Sequence, residues 1–171
     1  MGLLRILKLF AIALAVVLPL RLWVAEPIYV ASPSMEPTLR TGTLLILDKL
    51  TLRARAPRRG EFLSFRSPVE DIDMVKRVIA LPGETVEMRE KAVFINGNKI
   101  DEPYVFHSRA DERLEGDSLA PMVVPEKSYF VLGDNRDESS DSSVWKDREG
   151  KPLRFLRLSL IQGLVRRLPW A

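Results

Sequence analysis

Asp73-Met74-Val75-Lys76-Arg77-Val78-Ile79-Ala80-Leu81 is an apolar run broken at its centre by two adjacent cations. Its apolar and β-branched content, closed by Pro82-Gly83, predicts a mostly buried strand. Lysine is ordinarily exposed, so a lysine in such a strand invites a chemical explanation. Upstream lies Ser34, in Ser32-Pro33-Ser34-Met35-Glu36-Pro37-Thr38-Leu39, while the only histidine, His107, is far downstream. A serine hydroxyl needs a neighbouring base to become a nucleophile, and in the familiar triad that base is an imidazole. Here Lys76 is the better candidate. At the ordinary amine pKa of ~10.4 only about one lysine in two thousand is neutral at pH 7, but desolvation by Met74, Val75, Val78 and Met35 can lower that pKa by ~2 to 3.

Outward from this strand, short β-signals dominate: residues 43–47, 62–65, 74–81, 85–88, 93–95 and 129–132, most of them bounded by Gly, Pro or Asp. Asn96-Gly97 between Ala92-Val93-Phe94-Ile95 and Lys99-Ile100 is a strong two-residue hairpin signal. Residues 101–121 are polar and read as a loop or small inserted lobe, part of a lobe or loop region around 84–128. The chain of 171 residues, 46% apolar and 29% charged, suffices for one compact core beside an anchor. With no cysteine there is no disulfide framework or thiolate metal site, and one histidine excludes a multi-histidine site. The expectation is therefore no metal and no cofactor.

At the N-terminus, residues 9–20 form an unbroken run of 12 apolar residues including Pro19. A helix over 3–25 would span about 34 Å at ~1.5 Å per residue, enough for a bilayer core of ~30 Å, with Arg5, Lys8 and Arg21 reaching to the interfaces. A cleaved leader is the alternative, but a cut after Ala25 or Ala31 puts Trp23 or Tyr29 where a small residue is needed, and a cut after Ser32 meets Pro33. Residues 1–25 are thus expected to be a retained single-pass anchor and 26–171 a β-rich domain. Arg5 and Lys8 favour a cytoplasmic N-terminus, which puts that domain on the extracytoplasmic side of the cell membrane.

The stretch Ser32 to Leu39, the Lys76-Arg77 strand ending in Leu81-Pro82-Gly83, and Gly133-Asp134-Asn135-Arg136-Asp137-Glu138-Ser139-Ser140-Asp141 make three blocks. In this order behind an apolar anchor, over residues 26–141, they closely resemble type I signal peptidases. The resemblance implies a mainly β fold, a coiled partial β-barrel with an N-terminal transmembrane helix. It also implies a serine endopeptidase that removes signal peptides from exported preproteins. Ser34 would be the nucleophile and Lys76 the general base, with the Ser34 amide and Ser32 hydroxyl forming the oxyanion hole. Gly133, Asp134, Asn135 and Arg136 would support the site, Asp134 and Asp141 would pair with basic residues such as Arg77, and Ser139 would hydrogen-bond the lysine amine. Ile28, Val30 and Val75 fall at substrate-pocket positions. One departure stands out: many relatives carry arginine two residues after the aspartate matching Asp141, where this chain has Ser143. After Trp145 the resemblance lapses.

Two alternatives share these features. One is a Ser/Lys peptidase with a restricted client, such as a conjugative pilin-processing enzyme; a self-cleaving repressor of the SOS type would need a DNA-binding N-terminal domain. The other is a non-enzymatic membrane-tethered β-domain. Arg53, Arg55, Arg58 and Arg59 around Pro57 read as a solvated loop or a contact for anionic lipids, with nucleic acid not expected as a partner. Arg166, Arg167 and Trp170 can play a similar part, and His107 reads as a surface or loop residue.

Overall fold

The structure, a computed structural model, describes residues 2–168. Helix α1 (Gly2–Pro19) runs through a widened π-helical turn (Leu20–Val24) directly into β1 (Ala25–Tyr29). There follow β2 (Leu44–Asp48), the short helix α2 (Thr51–Ala54), β3 (Phe62–Arg66), β4 (Asp73–Ala80), β5 (Thr85–Arg89), β6 (Ala92–Ile95), β7 (Asn98–Lys99), β8 (Leu119–Val123), β9 (Ser128–Leu132), β10 (Leu156–Arg157) and β11 (Ile161–Arg167). An 18-residue stretch within Gly2–Val24 has a mean hydropathy of 2.3, and none of its residues is buried in the protein. The 23 residues of Gly2–Val24 reach about 34 Å, long and apolar enough to cross a bilayer.

Seven strands form one antiparallel sheet in the order β1-β2-β11-β3-β4-β9-β10, and four form a second in the order β7-β6-β5-β8. Register shifts between Ile161 and Gly163 and between Val78 and Ala80 interrupt the large sheet. Such irregularities strengthen the local twist, and the sheet curls into the expected partial barrel. At Gly163 a β-carbon would lie 2.5 Å from the Asp48 carbonyl oxygen and 2.8 Å from Leu47 Cδ1, so glycine is what lets β11 close against β2.

All five residues of β9 are buried because the strand lies between two cores. Phe130 and Leu132 join Ile79, Val86, Met88, Val93 and Ile95 on one side. Tyr129 and Val131 join Leu63, Phe65, Val78 and Trp145 on the other, following the two-residue period of a strand. A third cluster of Val30, Met35, Leu39, Leu45 and Val165 backs the turn that follows β1.

The six strands read from sequence appear as β2 to β6 and β9, and Asn96-Gly97 makes the hairpin turn with φ of 51° and 81°. The reading of 101–121 as loop is corrected at its end, where β8 pairs with β5. Pro121 is tolerated there because β8 is an edge strand, as is β1 with Pro27. The regular α-helix ends at Pro19 rather than continuing to 25.

Candidate active site

Ser34 lies in a single helical turn (Pro33–Met35) between β1 and β2. Proline suits its first position because φ is already fixed and no amide donor is wasted. The turn is closed by Glu36 N–H donating to the Pro33 carbonyl (3.0 Å) and Leu39 N–H to the Met35 carbonyl (2.8 Å). The Glu36 carboxylate accepts from the amide and hydroxyl of Thr41 (3.1 and 2.9 Å), which holds its pKa below the usual value. Met35 and Leu39 insert into the third core cluster, so apolar burial on either side of Ser34 fixes its backbone.

Across from this turn, β4 presents Lys76, and Lys76 Nζ donates to Ser34 Oγ at 2.7 Å. The lysine is 3% exposed. Burial pushes its pKa down to about 8, against the opposing pull of the Asp141 and then the Asp134 charge. Ser32 Oγ lies 3.2 Å from Ser34 Oγ, on the exposed side of this turn. Ile28, Val30 and Val75 all pack in the cluster beneath that turn, Val30 buried and the other two half-buried.

The 133–143 segment leaves β9 and wraps the back of this pair. Asn135 N–H donates to the Ser34 carbonyl at 3.1 Å. A β-carbon at Gly133 would collide with that same carbonyl oxygen and lie 2.6 Å from Ser139 Cβ, so glycine is required for this close approach. Gly133→Ala is accordingly expected to cost about 1–3 kcal/mol by overpacking, read as a lower urea midpoint at unchanged m-value. Wild-type stability would mean that the loop gives way without cost.

Arg77, next to Lys76 but on the opposite face of β4, donates Nε to Asp134 Oδ1 (2.7 Å) and Nη2 to Oδ2 (2.5 Å). This is the expected pairing of Asp134. Asp141 behaves differently. Its Oδ2 accepts from Gly133 N–H (2.9 Å) and Ser139 Oγ (2.5 Å), its Oδ1 from the Ser143 amide (3.0 Å) and hydroxyl (2.7 Å), and among the described residues it makes no ion pair. The expected pairing of Asp141 with a basic residue is thus replaced by four neutral donors. The Ser139 hydroxyl donates to Asp141 rather than pairing with the lysine amine, because a short hop of two residues brings it onto a strong carboxylate acceptor. Ser143 fills the position of the missing arginine, and the Arg154 guanidinium donates to the carbonyls of Ser143 and Ser142 from outside.

Several partners were invisible locally. Arg136 is held by Glu102 through Nη2 (2.6 Å) and Nη1 (3.3 Å), and Tyr104 stacks on Arg77. His107, half-buried in its loop, lies with Nδ1 3.2 Å from Asp137 Oδ1. These contacts join positions far apart in sequence, and only residue chemistry hinted at them. The basic cluster is partly spent internally: Arg55 pairs with Glu61 and Arg59 with Glu84, leaving Arg53 and Arg58 exposed. Arg166 approaches Asp48 at 3.4 Å and Arg167 donates to the Thr38 carbonyl, while Trp170 lies outside the described residues.

A buried lysine within hydrogen-bond reach of a serine hydroxyl, both backed by a glycine-aspartate loop, is an arrangement for acyl transfer. The sequence model of the family described as "Signal peptidase, peptidase S26" matches residues 3–168. The chain is 37% identical over 139 residues to signal peptidase I of Bacillus licheniformis, covering 79% of this chain and 75% of the relative. It is 37% identical over 145 residues to a probable signal peptidase I-2 of Synechocystis sp., covering 81% of this chain and 63% of that protein's length. A crystal structure of a signal peptidase I from Enterococcus faecalis aligns with a TM-score of 0.48 at 31% identity, over 64% of this chain and 97% of that one. By its sequence, this chain belongs to the signal peptidase family, peptidase S26.

Proposed function

We propose that the protein is a membrane-anchored serine endopeptidase that removes N-terminal signal peptides from exported preproteins, with Ser34 as nucleophile and Lys76 as general base. The observation that carries the chemistry is the 2.7 Å hydrogen bond from a lysine that is 3% exposed to the Ser34 hydroxyl. With its pKa at about 8, the Lys76 amine is neutral in about one molecule in ten at pH 7, some two hundred times the ordinary fraction. Ser34 Oγ attacks the scissile carbonyl as Lys76 Nζ takes its proton. The Ser34 amide and the Ser32 hydroxyl stabilise the oxyanion, a contribution of ~10² to 10³ in rate per donor. Lys76 then returns the proton to the leaving amine, and a water activated by the same amine hydrolyses the acyl-enzyme.

The anchor (1–25) holds the catalytic domain (26–171, with its lobe around 84–128) at the membrane. Arg5 and Lys8 support a cytoplasmic N-terminus and an extracytoplasmic site. An extended precursor segment would lie along the strands beside Ser34, its small side chains against Ile28, Val30 and Val75. Exposed Arg53 and Arg58 are the remaining candidates to meet anionic lipid headgroups.

The test is cleavage of a model preprotein in detergent by the purified protein, with N-terminal sequencing of the product. A cut after a small-x-small site is the expected result. Cleavage of a single client from a panel would instead mark a restricted peptidase, and no cleavage by folded protein would overturn the enzymatic reading.

A further inference from the structure

The segment 102–109 crosses the outside of the 134–137 loop and is fastened to it through both backbone and side chains. Phe106 N–H donates to the Asp134 carbonyl (2.8 Å) and Arg136 N–H to the Phe106 carbonyl (3.0 Å), a short parallel bridge between Phe106 and Asn135. Glu102 and Arg136 form an ion pair whose side chains are 8% and 5% exposed. Asp137 accepts from the Arg109 amide at 2.7 Å and meets His107 Nδ1 at 3.2 Å.

A further contact reaches past the loop to β4. The Arg77 guanidinium, already clamped to Asp134, sits between two rings: Tyr104 at 3.6 Å from the ring centroid and Phe62 at 4.4 Å. The Tyr104 hydroxyl donates to Glu102 Oε1 at 3.0 Å, which ties the ring to the Glu102–Arg136 pair. The guanidinium thus meets one ring from β3 of the main sheet and one from this distant segment. Arg77 neighbours Lys76 on β4, and Asp134 neighbours both residues that touch the Ser34 carbonyl, Gly133 and Asn135. Removing the Tyr104 ring uncovers the guanidinium to water and loosens the one ion pair that joins the lysine strand to the loop behind the serine.

We propose that residues 102–109 form a strap, with Tyr104 and Glu102 as positioning residues, that holds the Gly133–Asn135 loop against β4 and so keeps Ser34 in register with Lys76. The catalytic consequence rests on the Ser34–Lys76 reading; the positional one does not. A ring on a guanidinium is a stacking contact that phenylalanine retains and leucine does not, so the two substitutions separate stacking from the hydroxyl.

The experiment compares full-length wild type, Tyr104→Leu, Tyr104→Phe and Glu102→Ala in detergent, measuring preprotein cleavage and amide hydrogen exchange. Tyr104→Leu is expected to lose about 10- to 100-fold in kcat through misplacement of the reacting groups. KM should stay within about twofold, since uniform substrate binding is untouched, and Tyr104→Phe should keep at least about half of the wild-type kcat. Exchange in Tyr104→Leu should quicken at 133–136 and 32–36 and stay unchanged where β11 pairs with β2. Wild-type kcat and exchange in Tyr104→Leu would overturn the strap, as would equal losses in the leucine and phenylalanine variants. Should Tyr104→Leu fail to fold, Glu102→Ala must show the same kcat loss and the same local exchange, and wild-type behaviour there overturns the proposal. If the wild type cleaves no preprotein, the dyad reading fails, and the exchange pattern alone decides the strap.

Discussion

Ser34→Ala and Lys76→Met are each expected to abolish cleavage, lowering the rate by roughly 10⁴ to 10⁶ because the two groups act as a unit, but they should part on stability. Ser34→Ala takes away the acceptor of the buried Lys76 amine and is expected to cost about 1–3 kcal/mol while the fold persists. Lys76→Met removes an ammonium that the fold strips of water, replacing it with an apolar chain of similar length. The amine's pKa falls from 10.5 to about 8 chiefly through burial. That difference corresponds to about 3 kcal/mol at ~1.4 kcal/mol per pH unit, spent below pH 8 on keeping the group in place. Offsetting it, the variant loses the hydrogen bond to Ser34, worth about 1 kcal/mol. Lys76→Met is therefore expected to be more stable than wild type at pH 7, by about 2 kcal/mol.

The sign changes with pH in a defined window. Between about 8 and 10.5 the unfolded chain holds a proton that the folded one has released, so wild-type stability rises with pH there and the advantage of Lys76→Met shrinks. Wild-type turnover should rise about tenfold per pH unit below about 8 and level off above it. Urea unfolding of both proteins at pH 7 and pH 10, with a pH–rate profile of the wild type, checks all three statements. A flat profile from pH 7 to 9, or a wild type more stable than Lys76→Met at pH 7, would contradict a desolvated lysine base.

How much of this was legible in the sequence depended on the range of the interaction. The strand carrying Lys76, the Asn96-Gly97 turn and the alternating strands β2, β5 and β6 follow from residues that are neighbours in the chain, where periodicity and turn chemistry act directly. Strands β1 and β8 were not read as strands; they carry Pro27 and Pro121, and only the sheet order shows that both lie at edges where a missing amide costs nothing. Strand β11 contains Gly163 and pairs with β2 and β3 a hundred residues away, so neither its pattern nor its place could be read locally. The serine and the lysine were legible from residue type and resemblance, whereas their support was less so. Ser139 was assigned to the amine, yet its hydroxyl donates to a carboxylate two residues off. Tyr104 and Glu102, in what read as polar loop, became partners of Arg77 and Arg136 only through the fold.

The Arg77–Asp134 pair is where that long-range support has its largest expected cost. Its side chains are 9% and 1% exposed. A buried pair adds little net stability over an apolar substitute, but removing one partner strands the other charge in a dry site. Asp134→Asn keeps the shape and one acceptor while leaving the guanidinium, stacked between Tyr104 and Phe62, without a counter-charge. The expected loss is about 3 kcal/mol in urea unfolding. The double variant Arg77→Met/Asp134→Leu should recover about 2 kcal/mol of it, since no charge is then stranded. The same substitution has an opposite signature in the chemistry. The Asp134 charge holds the Lys76 pKa up, so in Asp134→Asn the acid limb of the pH–rate profile should move below about 8 even as the protein weakens. A loop merely loosened would lower turnover at every pH and leave that limb in place. Loss of stability together with a downshifted limb would mean that the Asp134 carboxylate both fastens the loop behind Ser34 and sets the basicity of Lys76; an unmoved limb would reduce it to a fastener.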